Sequence, residues 1–346
     1  MVKYSESYWK EVNEVLACVP EVSKLTNKSI LITGATGMIC STVVELLFEL
    51  NRKCNAHIMI ILAGRSRQRI HQRFHGFTEG KDYQFLEYDA TNDVMIDACP
   101  DYMIHGASPA DPAAIMAQPV ETMFSNLYGL RTLLDVAKQH SETRLLYISS
   151  SEVYGKKSGG HPFMETDYGF VDILNPRASY PTSKRAAETM CAAYHKEYGV
   201  DFVVVRPGHI YGPTITDADS RASAQFTRLA SQGENIVMKS AGTQLRSYCY
   251  TMDCASAILT VLLRGECGEA YNISNPQSIV SIRDLAEGIA KVAGVNLVFE
   301  QSSEQERNSY NLMDNSSLSS KKLESLGWKG VYNLSKGVQS TLKYYG

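Results

Sequence analysis

No apolar run in this chain approaches the roughly 20 residues that a membrane-spanning helix requires, so a membrane protein is not expected. A charge surplus is missing too. Lys and Arg total 34 against 37 Asp and Glu, a formal charge of −3, which offers no bulk attraction to nucleic acid or anionic lipid. The eight cysteines (18, 40, 54, 99, 191, 249, 254 and 267) include no pair at C-x2-C spacing, which argues against a structural zinc site. They read as small buried hydrophobes in a reduced, metal-free, cytoplasmic protein. Lys3, Glu6, Lys10, Glu11 and Glu14 make the first residues too charged for a secretory signal. Tyr8, Val12, Val15, Leu16 and Val19 recur there at helical spacing and predict an amphipathic helix packed on the main body. Internal repeats and low-complexity segments are absent as well.

What is present is enough apolar material for a full core. The chain has 346 residues, 44% of them hydrophobic, which allows about two domains or one enlarged one. Strand-like runs at 29–33, 57–63, 84–88, 102–106, 144–149 and 202–206 alternate with helical stretches at 38–50, 119–139 and 180–198. That alternation predicts an α/β fold with a Rossmann-like, doubly wound parallel sheet, whose ligands gather at the carboxyl ends of the strands. Residues 1–205 are assigned to this dinucleotide-binding domain, with 1–27 as a helical extension. Beyond Arg206 the pattern turns irregular: a loop at 212–222, a helix at 221–232 and short strands near 236–238 and 248–251. Residues 206–346 are expected to form a smaller substrate-covering lobe, partly interleaved with the first.

Gly34-Ala-Thr36-Gly37-Met38-Ile39-Cys40 follows the first strand and opens a helix. Gly34 suits a tight turn, and Gly37 would let a pyrophosphate approach the amides at the helix start. Cys40 takes the place of a third small residue. The second strand ends in Gly64-Arg65-Ser66-Arg67 without the Asp or Glu that would receive a ribose 2′-hydroxyl. Arg65 and Arg67 favour a 2′-phosphate instead, hence NADP over NAD; the plainer alternative is a solvated basic loop. Asp89 is placed to reach the adenine amino group or to end a strand. Further on, Tyr180 and Lys184 lie four apart on a helix, about 30 residues after Ser149-Ser150-Ser151-Glu152. An ammonium sharing a helix face with a phenol would favour phenolate. Tyr180 would then serve as a base for oxidising a sugar hydroxyl, with Ser150 holding the reacting oxygen.

With these motifs in order, the sequence resembles the extended short-chain dehydrogenase/reductase family of nucleotide-sugar epimerases, dehydratases and decarboxylases. The likeness runs from about residue 29 to the C-terminus. It is strongest toward the UDP-glucuronate decarboxylases in His105–Pro112, Ser149–Gly155 and Asn175–Cys191. It implies catalytic roles for Ser150, Glu152, Tyr180 and Lys184. Cofactor contacts would come from Gly34, Thr36, Gly37, Met38, Ile39, Arg65, Asp89, Ala107, Ser149 and Pro207 as well as the Tyr–Lys pair. Substrate contacts would come from Ser108, His209, Arg221 and Arg246. The dehydratases carry an Asp-Glu pair where this chain has Ser151-Glu152, and simple 4-epimerases have small residues there. A lone Glu is the decarboxylase pattern, although Glu152 could equally be a structural hydrogen-bonding group. His209 departs from the Asn usual at its position, and Arg221 either joins a diphosphate clamp or is solvated beside a capping Asp219 or Ser220. The resemblance implies a diphosphonucleotide-sugar substrate and a homodimer formed through helices 119–139 and 180–198. A 4-epimerase, 4,6-dehydratase or 4-ketoreductase is the same-fold alternative, and a non-catalytic dinucleotide sensor the alternative from another class.

Overall fold

A computed structural model describes residues 2, 4–92, 96–157, 159–216, 219–301 and 313–345; Lys3, Asp217 and Ala218 of the sequence argument fall outside them. Seven parallel strands form the central sheet in the order β10-β6-β5-β4-β1-β2-β3. They are β1 (Ser29–Thr33), β2 (Met59–Gly64), β3 (Gln84–Glu87), β4 (Tyr102–His105), β5 (Arg144–Ile148), β6 (Asp201–Pro207) and β10 (Ala270–Ile273). Chain order reverses between β1 and β4, so a crevice opens at their carboxyl ends.

Alternating side chains serve the two faces. Ile30 and Ile32 of β1 join one apolar cluster while Leu31 joins the other. Helices α1 (Glu6–Leu16), α2 (Met38–Cys54) and α8 (Thr251–Arg264) pack into the first cluster; α5 (Pro119–Gln139) and α6 (Ser179–Tyr198) cover the second. Every residue of α8 except Arg264 is buried. Its buried residues include Thr251, Asp253, Ser256 and Thr260, so burial along this helix does not follow apolar character, and the segment is not evident in the sequence. The expected strand near 248–251 is in fact β9 (Leu245–Tyr250), and Thr251 already opens α8.

The chain beyond β6 therefore builds two things. It returns α8 and β10 to the main sheet. It also forms a small sheet in which β9 pairs with β7 (His209–Tyr211), β11 (Ile279–Ser281) and β13 (Asn315–Ser316), plus a two-stranded pair of β8 (Ile236–Met238) and β12 (Leu297–Phe299). Helix α7 (Ala222–Ser231) packs near α9 (Ile282–Ala293).

The N-terminal helix is docked by polar as well as apolar contacts. Glu45 of α2 accepts from Tyr8 Oη at 2.5 Å, Tyr4 Oη at 2.8 Å and Arg73 Nη2 at 2.7 Å, all beneath α1. No helix among the described residues is long and apolar enough to cross a membrane.

Candidate active site

Strand β1 delivers the chain to Gly34, which sits at φ +67°; a Cβ there would lie 2.6 Å from Gly106 O, so only glycine fits. The Gly37 amide closes the turn on Gly34 O at 2.9 Å. Gly37 then caps α2 without a side-chain hydrogen bond. The first-turn amides are thereby left to a ligand, and a pyrophosphate suits them by charge and by donor geometry. Cys40 Sγ lies so close to Gly106 that a Cβ there would come within 2.3 Å of it. The two meet as a small-residue contact between α2 and the end of β4. Thr33 Oγ1 accepts from the amides of Gly106 and Ala107, each at 3.2 Å, and shares a hydrogen bond of 2.8 Å with His105 Nδ1. Burial holds the His105 imidazole down at about 3, so it remains neutral at working pH.

The turn after β5 faces the start of α6. Ser150 caps the turn by accepting from the Glu152 amide at 3.2 Å, and it lines the same cavity as the Tyr180 phenol. Tyr180 is buried, and its phenol is pushed up to about 12, first by desolvation and then by the Glu152 charge; Ser150, Arg177 and Arg221 act the other way. Lys184 lies one helical turn on from Tyr180 in α6. Its Nζ donates to Ile148 O at 2.7 Å and stands 5.7 Å from the Tyr180 ring centre. Desolvation lowers the ammonium to about 7, against the pull of Glu188. The ammonium thus makes no direct hydrogen bond to the phenol; it gives one of its three N–H donors to the strand-end carbonyl and lies over the Tyr180 ring. Ser149 Oγ donates to Glu188 Oε1 at 2.5 Å, which fixes the strand end from below.

These groups open onto one cavity of about 780 Å3, walled by Gly34, Gly37, Met38, Ile39, Ser108, Ser149, Ser150, Glu152, Tyr180, Lys184 and Pro207 from the sheet side. His209, Arg221 and Arg246 line it as well. Arg221 is held by Asp219, whose Oδ1 accepts from its Nε at 2.9 Å and its backbone amide at 3.1 Å. Arg221 is itself the N-cap of α7, so the expected cap by Asp219 or Ser220 is not found; Asp219 instead anchors its guanidinium, and Arg221 lines the cavity. Arg246 on β9 donates Nη1 to Leu245 O at 2.8 Å and Met313 O at 2.9 Å, and burial lowers its guanidinium. His209 is neutral for the same reason, held at about 3 by burial with Arg246 and Arg221 adding to it. Its buried Nδ1 finds no partner among the described residues.

Four expected cofactor residues, Thr36, Arg65, Asp89 and Ala107, are not among the residues that wall this cavity. Arg65 is exposed just past β2, while Asp89 Oδ1 accepts from Thr91 N at 3.0 Å. Arg67 lies over the Phe85 ring at 4.7 Å and is paired with Glu79. Sequence reasoning missed Arg177, which walls the cavity and binds Glu152 at 2.8 Å; its place three residues before Tyr180 was the available signal.

A glycine turn at the switch point of a doubly wound sheet, with Ser, Tyr and Lys grouped beside it, defines a dinucleotide-dependent enzyme of the short-chain dehydrogenase type. The chain belongs to the NAD dependent epimerase/dehydratase family, whose sequence profile matches residues 30–274. It is 31% identical over 327 residues to UDP-glucuronic acid decarboxylase 1 of Xenopus tropicalis, covering 94% of this chain and 73% of that protein. Among solved structures it resembles a Thermotoga maritima UDP-glucose 4-epimerase with UDP-glucose (TM-score 0.77, 21% identity, 91% and 98% of the two chains). A Bacillus cereus UDP-glucuronic acid 4-epimerase with UDP-glucuronic acid and NAD matches similarly, with a TM-score of 0.75, 22% identity and 91% and 98% coverage.

Proposed function

We propose that this enzyme oxidises the C4 hydroxyl of a UDP-linked uronate, releases the C6 carboxylate as carbon dioxide and reduces C4 again, as a UDP-glucuronate decarboxylase would. The observation that carries the reading is the grouping of Ser150 and Tyr180 in the lining of one cavity with a single carboxylate, Glu152. When bound, the dinucleotide supplies a hydride acceptor at C4 and, in its oxidised form, a positive charge near the phenol. Tyr180 takes the C4 hydroxyl proton while Ser150 orients that oxygen. A ketone at C4 lies β to the C6 carboxylate, so the electrons freed by carbon dioxide loss delocalise into it. Lys184 fixes the end of β5 through Ile148 O. Arg246 and Arg221 supply guanidinium groups for the diphosphate or the carboxylate.

Arg65, exposed past a strand end that carries no acidic residue, supports acceptance of NADP alongside NAD. Val120, Phe124 and Tyr128 leave an exposed apolar strip on α5, which supports a homodimer through α5 and α6. The eight free thiols support a reducing, cytoplasmic setting. Purified protein incubated with UDP-glucuronate and NAD should release carbon dioxide and a UDP-pentose. Conversion to UDP-galacturonate without gas would make it an epimerase instead, and no turnover of any UDP-uronate would discard the proposed substrate.

A further inference from the structure

Arg177 enters the site from the short turn Pro176–Ala178, immediately before α6. Its Nη2 donates to Glu152 Oε1 at 2.8 Å, and the two side chains are 26% and 28% exposed on the same cavity wall. Its Nη1 is buried and finds no partner among the described residues. Glu152 alone is an awkward neighbour for a phenol that must ionise, since a second negative charge opposes phenolate formation. A guanidinium answers this well: it remains charged at all working pH and grips a carboxylate in fixed geometry.

We propose that Arg177 is a positioning residue: one arm fixes the Glu152 carboxylate and its charge screens the Tyr180 phenol from it, so that both acidic groups can work in one cavity. This rests on the reading of Tyr180 as the proton acceptor. The other groups around the phenol are otherwise engaged. Arg221, at the start of α7, is paired with Asp219, and Lys184, on α6 itself, is bonded to Ile148 O. Tyr147 of β5 is a fully buried phenol held well above its ordinary range by desolvation, and Ser150 contributes a neutral hydroxyl. Arg177 is the cation whose partner is the carboxylate it offsets, and both its charge and that of Glu152 act on the phenol, in opposite directions.

The test reads the phenol directly and needs no substrate. In NAD-saturated protein labelled with difluorotyrosine, fluorine NMR follows the Tyr180 signal, identified by its loss in Tyr180→Phe. Arg177→Gln should raise the Tyr180 titration by about one pH unit and Glu152→Gln lower it by about as much. The double variant should return it close to the wild-type position. A titration unmoved by Arg177→Gln, with only the melting temperature lowered, overturns the proposal. Should Arg177→Gln alone not fold, the double variant, which strands no charge, is read against Glu152→Gln: a titration about one pH unit higher in the double variant supports the role of Arg177, and equal titrations overturn it. Absence of turnover on UDP-glucuronate would be a separate result, bearing on the substrate and not on this pair.

Discussion

Lys184 and Ile148 are joined by a hydrogen bond of 2.7 Å from the ammonium to the strand-end carbonyl, within the buried layer beneath Tyr180. The lysine thus ties α6 to the tip of β5, the strand that leads into Ser150. Burial depresses its ammonium to about 7. Tyr180, in the protein alone, stays protonated because its phenol is pushed up to about 12.

A stability signature follows from the lysine. Its folded value of about 7 lies below the unfolded value of about 10.4, so between these pH values the unfolded chain binds more protons. That group's contribution to stability should therefore rise with pH across the window and be most unfavourable below about 7. Lys184→Met should melt higher relative to wild type at about pH 6 than at about pH 9, the other titrating groups being shared by both proteins. A melting difference that stays constant across the range would mean that Lys184 is not depressed.

Removing the Tyr180 hydroxyl should cost much activity and little binding. General acid–base contributions run to about 100- to 10,000-fold, and Tyr180→Phe should lose turnover on that scale. The glycine turn lies on β1 and α2, so titration calorimetry should find dinucleotide affinity within a few-fold of wild type. Retained turnover would place the base elsewhere.

The parts of this molecule legible in the sequence are those with a period or a punctuating residue. The run Ser29–Thr33 ahead of Gly34 declared β1 and the turn, and α5 and α6 fell where the apolar spacing put them. Helix α8 carries Asp253, Ser256 and Thr260 on its buried surface, so its burial does not follow apolar character, and β10 is only four residues long, too short for a period to show. At the site, sequence order brought Ser150, Tyr180 and Lys184 together but could not say where the ammonium points. A backbone carbonyl competes for it, and backbone acceptors leave no trace in the side-chain pattern. Arg177 was hidden for a related reason: its partner Glu152 lies 25 residues upstream, a contact made only when β5 and α6 pack.

Cofactor choice is open to a single substitution. Arg65 is exposed beyond β2, and its charge helps to hold the Asp89 carboxyl low. Arg65→Asp should weaken NADP more than NAD, by roughly tenfold or more in relative affinity for one lost charge-assisted contact. Equal loss of both dinucleotides would show that the residue shapes the loop without reading the phosphate.

The last prediction concerns the dock of the N-terminal helix. Glu45 is fully buried, and its carboxylate is satisfied by Tyr4, Tyr8 and Arg73, the last at 2.7 Å with a side chain only 13% exposed. Taking one partner from a buried ion pair leaves the other charged and desolvated, at a cost of about 3–5 kcal/mol. Glu45→Gln should therefore lower the urea midpoint markedly, and amides of α1 should exchange faster than in wild type. Replacing both partners, as Glu45→Met with Arg73→Met, should recover most of the loss, because no buried charge is then stranded. If Glu45→Gln alone proved as stable as wild type, α1 would be held by Tyr8, Val12 and Val15 through apolar burial and the ion pair would add nothing.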